Sequence, residues 1–138
     1  MILLDTDVIS ALMRMQPEPR VVAWLDRQPR PSIWITSITV MEVRYGLQIL
    51  ATGRRRQTMT ELFETMLKTG IEGRVAPFDA AAAGAAAELM ALRKVKGRPM
   101  DVRDTMIAGI ALSTRATVAT RNTRHFGDLN VDVVNPWE

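Results

Sequence analysis

The chain contains no cysteine among its 138 residues. Disulfides, thiolate metal ligands and thiol nucleophiles are therefore excluded. With a single histidine, His125, histidine-rich zinc sites are excluded as well. Aromatic residues make up only 5% of the chain, which gives little support to reading of single-stranded bases by stacking. No apolar run approaches the roughly 18 residues of a membrane span, because charges interrupt every such stretch. The opening Met1-Ile2-Leu3-Leu4-Asp5-Thr6-Asp7 carries acids where a secretory leader needs positive charge and then an unbroken apolar segment. The expectation is a soluble, cytoplasmic protein with no membrane partner.

An apolar fraction of 47% rules out intrinsic disorder. The length predicts one domain, residues 1–138, large enough to bury a real core. Lys and Arg number 18 against 15 Asp and Glu, a net charge of +3. Such mild basicity permits a polyanion partner without requiring one.

Short apolar runs alternate with helix-length segments. Five runs are candidate strands: Ile2-Leu3-Leu4, Ile33-Trp34-Ile35, Val75-Ala76, Thr117-Val118-Ala119-Thr120 and Val131-Asp132-Val133-Val134. Pro77 marks the third as a sheet edge or a strand end. Helical patterns fill residues 7–14, 19–28, 37–51, 54–69, 79–95 and 101–115. Pro17 and Pro19 suit a helix start. Residues 37–51 carry two interleaved apolar stripes, which predicts burial on more than one side. This alternation predicts an α/β fold, a parallel five-stranded sheet with helices on both faces. In such sheets the functional crevice lies at the carboxyl ends of the strands. That places interest on Asp5-Thr6-Asp7 and on Arg121-Asn122-Thr123.

Asp5 follows an apolar strand and suits either a site or a helix cap. Glu42 lies in Ile38-Thr39-Val40-Met41-Glu42-Val43, where a carboxylate becomes partly buried and needs a partner or a metal. Arg44, two residues along, points away on a helix, which favours a site role for Glu42. Asp101 and Asp104 open the last long helix in the manner of a capping box, with both roles open for Asp104. Asn122 suits a turn or cap, and its amide oxygen could also support a metal-bound water. Convergent carboxylates without His or Cys suit Mg²⁺ or Mn²⁺, ions that activate water against a phosphodiester.

The segments Ile2-Leu3-Leu4-Asp5-Thr6-Asp7-Val8-Ile9-Ser10, Ser37-Ile38-Thr39-Val40-Met41-Glu42-Val43-Arg44-Tyr45-Gly46, Asp104-Thr105-Met106-Ile107-Ala108-Gly109, Ala119-Thr120-Arg121-Asn122-Thr123-Arg124-His125-Phe126 and Asn135-Pro136-Trp137 resemble, in order and over nearly the whole chain, the PIN-domain family. Within it the chain resembles in particular the VapC-type ribonuclease toxins of toxin–antitoxin pairs, in the FitB-like branch. The resemblance implies that Asp5, Glu42 and Asp104 are the acidic positions, with Asp5 and Asp104 holding Mg²⁺ or Mn²⁺. Glu42 would orient or deprotonate the attacking water, and Thr6 and Thr120 would line the pocket. Two departures stand out. Asp7 occupies a position where Asn is frequent. Asn122 and His125 occupy positions where acids are common, which weakens the case for a second metal.

The same resemblance implies a homodimer, an RNA substrate and a small cognate antitoxin. The antitoxin would lay a helix in an apolar groove, which the faces of residues 37–51 and 54–69 could form. Arg121 and Arg124, beside the pocket, are candidate phosphate contacts. Arg54-Arg55-Arg56 is read as solvated surface. His125 is read as a satisfied loop residue, and the methionines with Trp24 and Trp34 as core or interface. One histidine supplies no general acid–base pair for a metal-free route. Two rival readings remain. One is a magnesium phosphatase, for which Asp5-Thr6-Asp7 lacks the following Gly-Thr. The other is a non-catalytic binding module, kept open by Asn122.

Overall fold

The computed structural model describes all residues, Met1–Glu138. Five strands form one sheet: β1 (Ile2–Leu4), β2 (Ile33–Thr36), β3 (Val75–Ala76), β4 (Thr117–Ala119) and β5 (Val133–Val134). Every pairing is parallel, and the spatial order is β3-β2-β1-β4-β5. The chain builds outward from β1 to β3 and then crosses to β4 on the other side. The order therefore reverses at β1 and β4, which opens a crevice at their carboxyl ends. β3 is an edge strand, as Pro77 predicts.

Successive side chains on a strand face opposite ways. Leu3 and Val118 accordingly enter one apolar cluster, while Leu4 and Ala119 enter another. Both faces of the sheet must then be covered, and six helices do so: α1 (Thr6–Leu12), α2 (Pro19–Asp26), α3 (Ser37–Gln48), α4 (Arg54–Thr65), α5 (Ala80–Val95) and α6 (Val102–Thr114). On one side Val8, Ile9, Val21, Val43, Leu47 and Phe63 pack together. On the other, α5 and α6 bring Ala82, Leu89, Ile107 and Ile110 together with Phe126. No helix is long and apolar enough to cross a membrane.

The local sequence accounts for the boundaries. Pro19 is the first residue of α2, where its missing N–H costs nothing. Thr36, Asp79 and Asp101 cap α3, α5 and α6 through their side chains. The segment predicted to run to residue 69 is α-helical only to Thr65 and continues as a wider turn over Met66–Gly70. The Ala-rich stretch lets α6 approach α5 closely. A Cβ on Gly109 would meet the Ala82 carbonyl at 2.5 Å and the Ala86 Cβ at 2.9 Å, so only glycine fits there.

One expectation needs correction. The two apolar stripes of α3 are not both buried. Ile38, Val43 and Leu47 are covered, whereas Met41, Tyr45 and Ile49 remain 49%, 62% and 67% exposed. Spacing of four residues aligns those three on one helix face, and no element of the single chain packs over it.

Candidate functional site

Asp5 is the first residue beyond β1 and the cap of α1. One carboxylate oxygen accepts the Thr6 backbone N–H at 2.8 Å. The other accepts the hydroxyl of Thr120, the first residue beyond β4, also at 2.8 Å. Asp5 thus caps α1 and at the same time reaches across to the end of β4. Asp7 sits two residues into the crevice. Its Oδ2 accepts the Arg121 backbone N–H at 3.0 Å and lies 3.4 Å from the Asn122 amide nitrogen. Its Oδ1 is buried with no hydrogen-bond partner.

Glu42 projects from α3 toward the same crevice. It accepts the Thr6 hydroxyl at 2.9 Å. That hydroxyl lies 3.1 Å from Thr39, which packs in turn on Thr36 at 3.3 Å. Thr36 and Thr39 are fully buried, so a run of hydroxyls fixes the base of this wall. Arg103, near the start of α6, lies 3.6 Å from Glu42 and 3.4 Å from Asp101. Asp101 is exposed and serves as the α6 cap, outside the pocket. Asp104, one turn on, faces His125 Nδ1 at 3.0 Å.

Charge is unevenly balanced across these acids. Burial, first, and then the neighbouring Asp7 push the Asp5 carboxyl up to about 6, and Asp104 adds to the effect. Burial also raises Asp7 above the usual carboxylate range. Hydrogen bonds from Thr120, Thr6, Arg121 and Asn122 pull the other way, without overcoming burial. The crevice therefore holds more negative charge than its own donors neutralise. Together with the orphaned Asp7 oxygen, this suits a small divalent cation. No three acids or histidines form a ready-made ligand group.

The structure thus gathers Asp5, Thr6, Asp7, Glu42, Asp104, Thr120 and Asn122 around one crevice. Arg121 and Arg124 flank it in a cleft with Met100, Asn122, Thr123 and His125. The Arg121 guanidinium lies over the Trp137 ring at 5.2 Å. Arg54 and Arg55 are exposed, as expected of solvated surface, though Arg55 borders a groove that reaches Glu42. Sequence reasoning missed Thr36, Thr39 and Arg103. It also set aside His125, whose ring lies 3.0 Å from Asp104.

Fold and crevice define the class: a parallel α/β domain with an acid cluster where the strand order reverses. The chain belongs to the PIN domain family, whose match covers residues 2–130. It is 39% identical over 138 residues to a VapC ribonuclease of Sinorhizobium fredii, spanning 100% of this chain and 99% of that protein. Toxin FitB of Neisseria gonorrhoeae is 39% identical over 137 residues, spanning 99% of each. A structure of FitAB bound to a DNA fragment matches with a TM-score of 0.91 at 39% identity, covering 100% of this chain and 96% of that one.

Proposed function

We propose that the protein is a Mg²⁺- or Mn²⁺-dependent endoribonuclease, the toxin of a toxin–antitoxin pair. The observation that carries this reading is the under-neutralised Asp5–Asp7 pair beside Glu42 and Asp104, in a PIN domain whose relatives at 39% identity are a VapC ribonuclease and a FitB toxin. Asp5 and Asp104 would hold the cation, directly or through water. A divalent cation, when bound, supplies positive charge against the phosphate and raises the acidity of a nearby water. Thr6 orients Glu42, whose carboxylate accepts the proton of the attacking water. Thr120 and the Thr6 backbone hold Asp5 in place. Asn122 steadies Asp7, and Arg121 and Arg124 meet the phosphates of an RNA strand.

Family membership favours hydrolysis of a phosphodiester over the phosphatase reading. The partners proposed are RNA, a second copy of the chain and a small antitoxin. A groove lined by Met13, Val43, Leu47, Leu50 and Met59 ends at Thr6 and Glu42. An amphipathic antitoxin helix fits its apolar length, with a basic side chain directed to Glu42.

The test uses protein freed of any partner, with structured and unstructured RNA, Mg²⁺, Mn²⁺ or EDTA, beside Asp5→Asn. Cleavage that needs the cation and disappears in the variant supports the reading. Equal cleavage by both proteins indicates a contaminant. Cleavage by neither, with partner binding retained, favours the non-catalytic module.

A further inference from the structure

Arg93 is a buried cation that the reaction above does not use. It lies on the covered face of α5 in line with Ala82, Ala86 and Leu89, and only 3% of it is exposed. A guanidinium out of water must satisfy its donors or destabilise the fold. Arg93 does so across two other segments. Nε and Nη2 fork onto the two Asp128 carboxylate oxygens at 3.0 and 2.9 Å. Nη1 donates to the Thr105 hydroxyl at 3.2 Å, and Nη2 also donates to the His125 carbonyl at 2.8 Å. Thr105 can accept because its own proton goes to the Asp101 carbonyl at 3.0 Å.

The choice of acceptors is informative. Thr105 is the residue after Asp104. His125 is the residue whose ring faces Asp104 at 3.0 Å. One rigid fork therefore grips the backbone of His125 and the neighbour of Asp104, which are the two sides of a single contact in the crevice. A buried ion pair is often no more stable than well-packed apolar residues of the same volume. Stability alone gives little reason for an arginine here, whereas positioning does. An imidazole ring held 3.0 Å from a carboxylate limits the rotation of that carboxylate.

We propose that Arg93 is a positioning residue of the acidic crevice, acting through His125 to fix the Asp104 carboxylate. Its consequence for turnover rests on the ribonuclease reading; the contact itself does not. Asp128, 37% exposed at its side chain, completes the fork from outside; Asp128→Asn keeps one acceptor oxygen for Arg93 but lowers stability, so its fold is checked before the His125 tautomer is read.

The test exploits the single histidine of the chain, whose ring resonances need no assignment. At mildly alkaline pH a free neutral imidazole carries its proton mainly on Nε2. Nitrogen NMR of the wild type is expected to show Nδ1–H instead. Arg93→Lys and Asp128→Asn are expected to return the ring to the Nε2–H form, and where Arg93→Lys fails to fold, Asp128→Asn carries the test. In RNA cleavage, Asp128→Asn should lower kcat about tenfold with KM unchanged. It should cause no further loss in a His125→Ala background. An Nδ1–H signal that persists in the folded variants overturns the proposal, and so do losses from Asp128→Asn and His125→Ala that multiply. If the wild type cleaves no RNA, the ribonuclease reading fails and the tautomer still decides the role of Arg93.

Discussion

Glu42 and Asp104 each face a basic group of the chain, Arg103 at 3.6 Å and His125 at 3.0 Å. Asp5 and Asp7, in the same crevice, receive only neutral donors: backbone N–H groups, the Thr120 hydroxyl and the Asn122 amide. The first pair has a basic side chain of the chain within reach. The second is held at a cost, visible in the raised Asp5 and Asp7 carboxyls. Neutral donors can orient a carboxylate, but they do not supply the positive charge that its burial calls for. The difference supports the proposal that a cation sits at Asp5, on the side of the crevice whose carboxylates meet only neutral donors.

Asp5→Asn breaks this comparison most completely. It should abolish RNA cleavage and, without added metal, stabilise the protein. The carboxyl rises from 3.8 to about 6 on folding. Its contribution to stability is therefore fully present below the unfolded value and lost as pH rises through the folded one. At neutral pH the variant escapes a penalty of about 2–3 kcal/mol. Thermal unfolding should show a gain of roughly 5–10 °C, and an unchanged or lowered Tm would remove the charge argument.

A pH series gives the next largest effect. Because Asp5 protonates near 6, Mn²⁺ affinity should weaken about tenfold per pH unit below that point. Calorimetric titrations between acidic and neutral pH measure this directly. Over the same range the metal-free wild type should lose stability as pH rises, and Asp5→Asn should show a much flatter profile.

Asp7→Asn sharpens the contrast by removing the charge that acts on Asp5 second only to burial. Cleavage should persist within about tenfold. Stability at neutral pH should rise, since burial holds the Asp7 carboxyl above its usual range, as read by denaturant unfolding. Arg103→Gln tests the first pair. Its side chain is 51% exposed, so stability should change by no more than about 0.5 kcal/mol. RNA binding measured in the Asp5→Asn background should weaken modestly.

The two halves also differ in how far the sequence discloses them. Asp5 was legible as a residue with two open roles, a helix cap or a site, because it follows a three-residue apolar strand; the structure makes it the α1 cap. Asn122 was legible as a turn or cap residue after β4, whereas Thr120 was read as part of that strand and came to the pocket only through the family resemblance. The sheet could be read because its strands are short apolar runs separated by helical periods, and Pro77 placed β3 at an edge. The basic contacts to Glu42 and Asp104 were not legible. Arg103 and His125 reach them from separate elements, and no spacing rule along one helix or strand encodes such a meeting. Arg93 did leave a signal, a charge in register with Ala82, Ala86 and Leu89 on a covered helix face. The exposed Met41–Tyr45–Ile49 stripe misled, since periodicity reports an apolar face without saying whether the same chain covers it.

The most direct test of the central claim is calorimetric titration of Mn²⁺ into the partner-free protein at neutral pH, beside Asp5→Asn. The account predicts saturable binding by the wild type, a rise in its Tm on saturation, and loss of both in the variant. Equal heats and equal thermal shifts in the two proteins would contradict it, and would mean that the charge gathered around Asp5 and Asp7 serves something other than a cation.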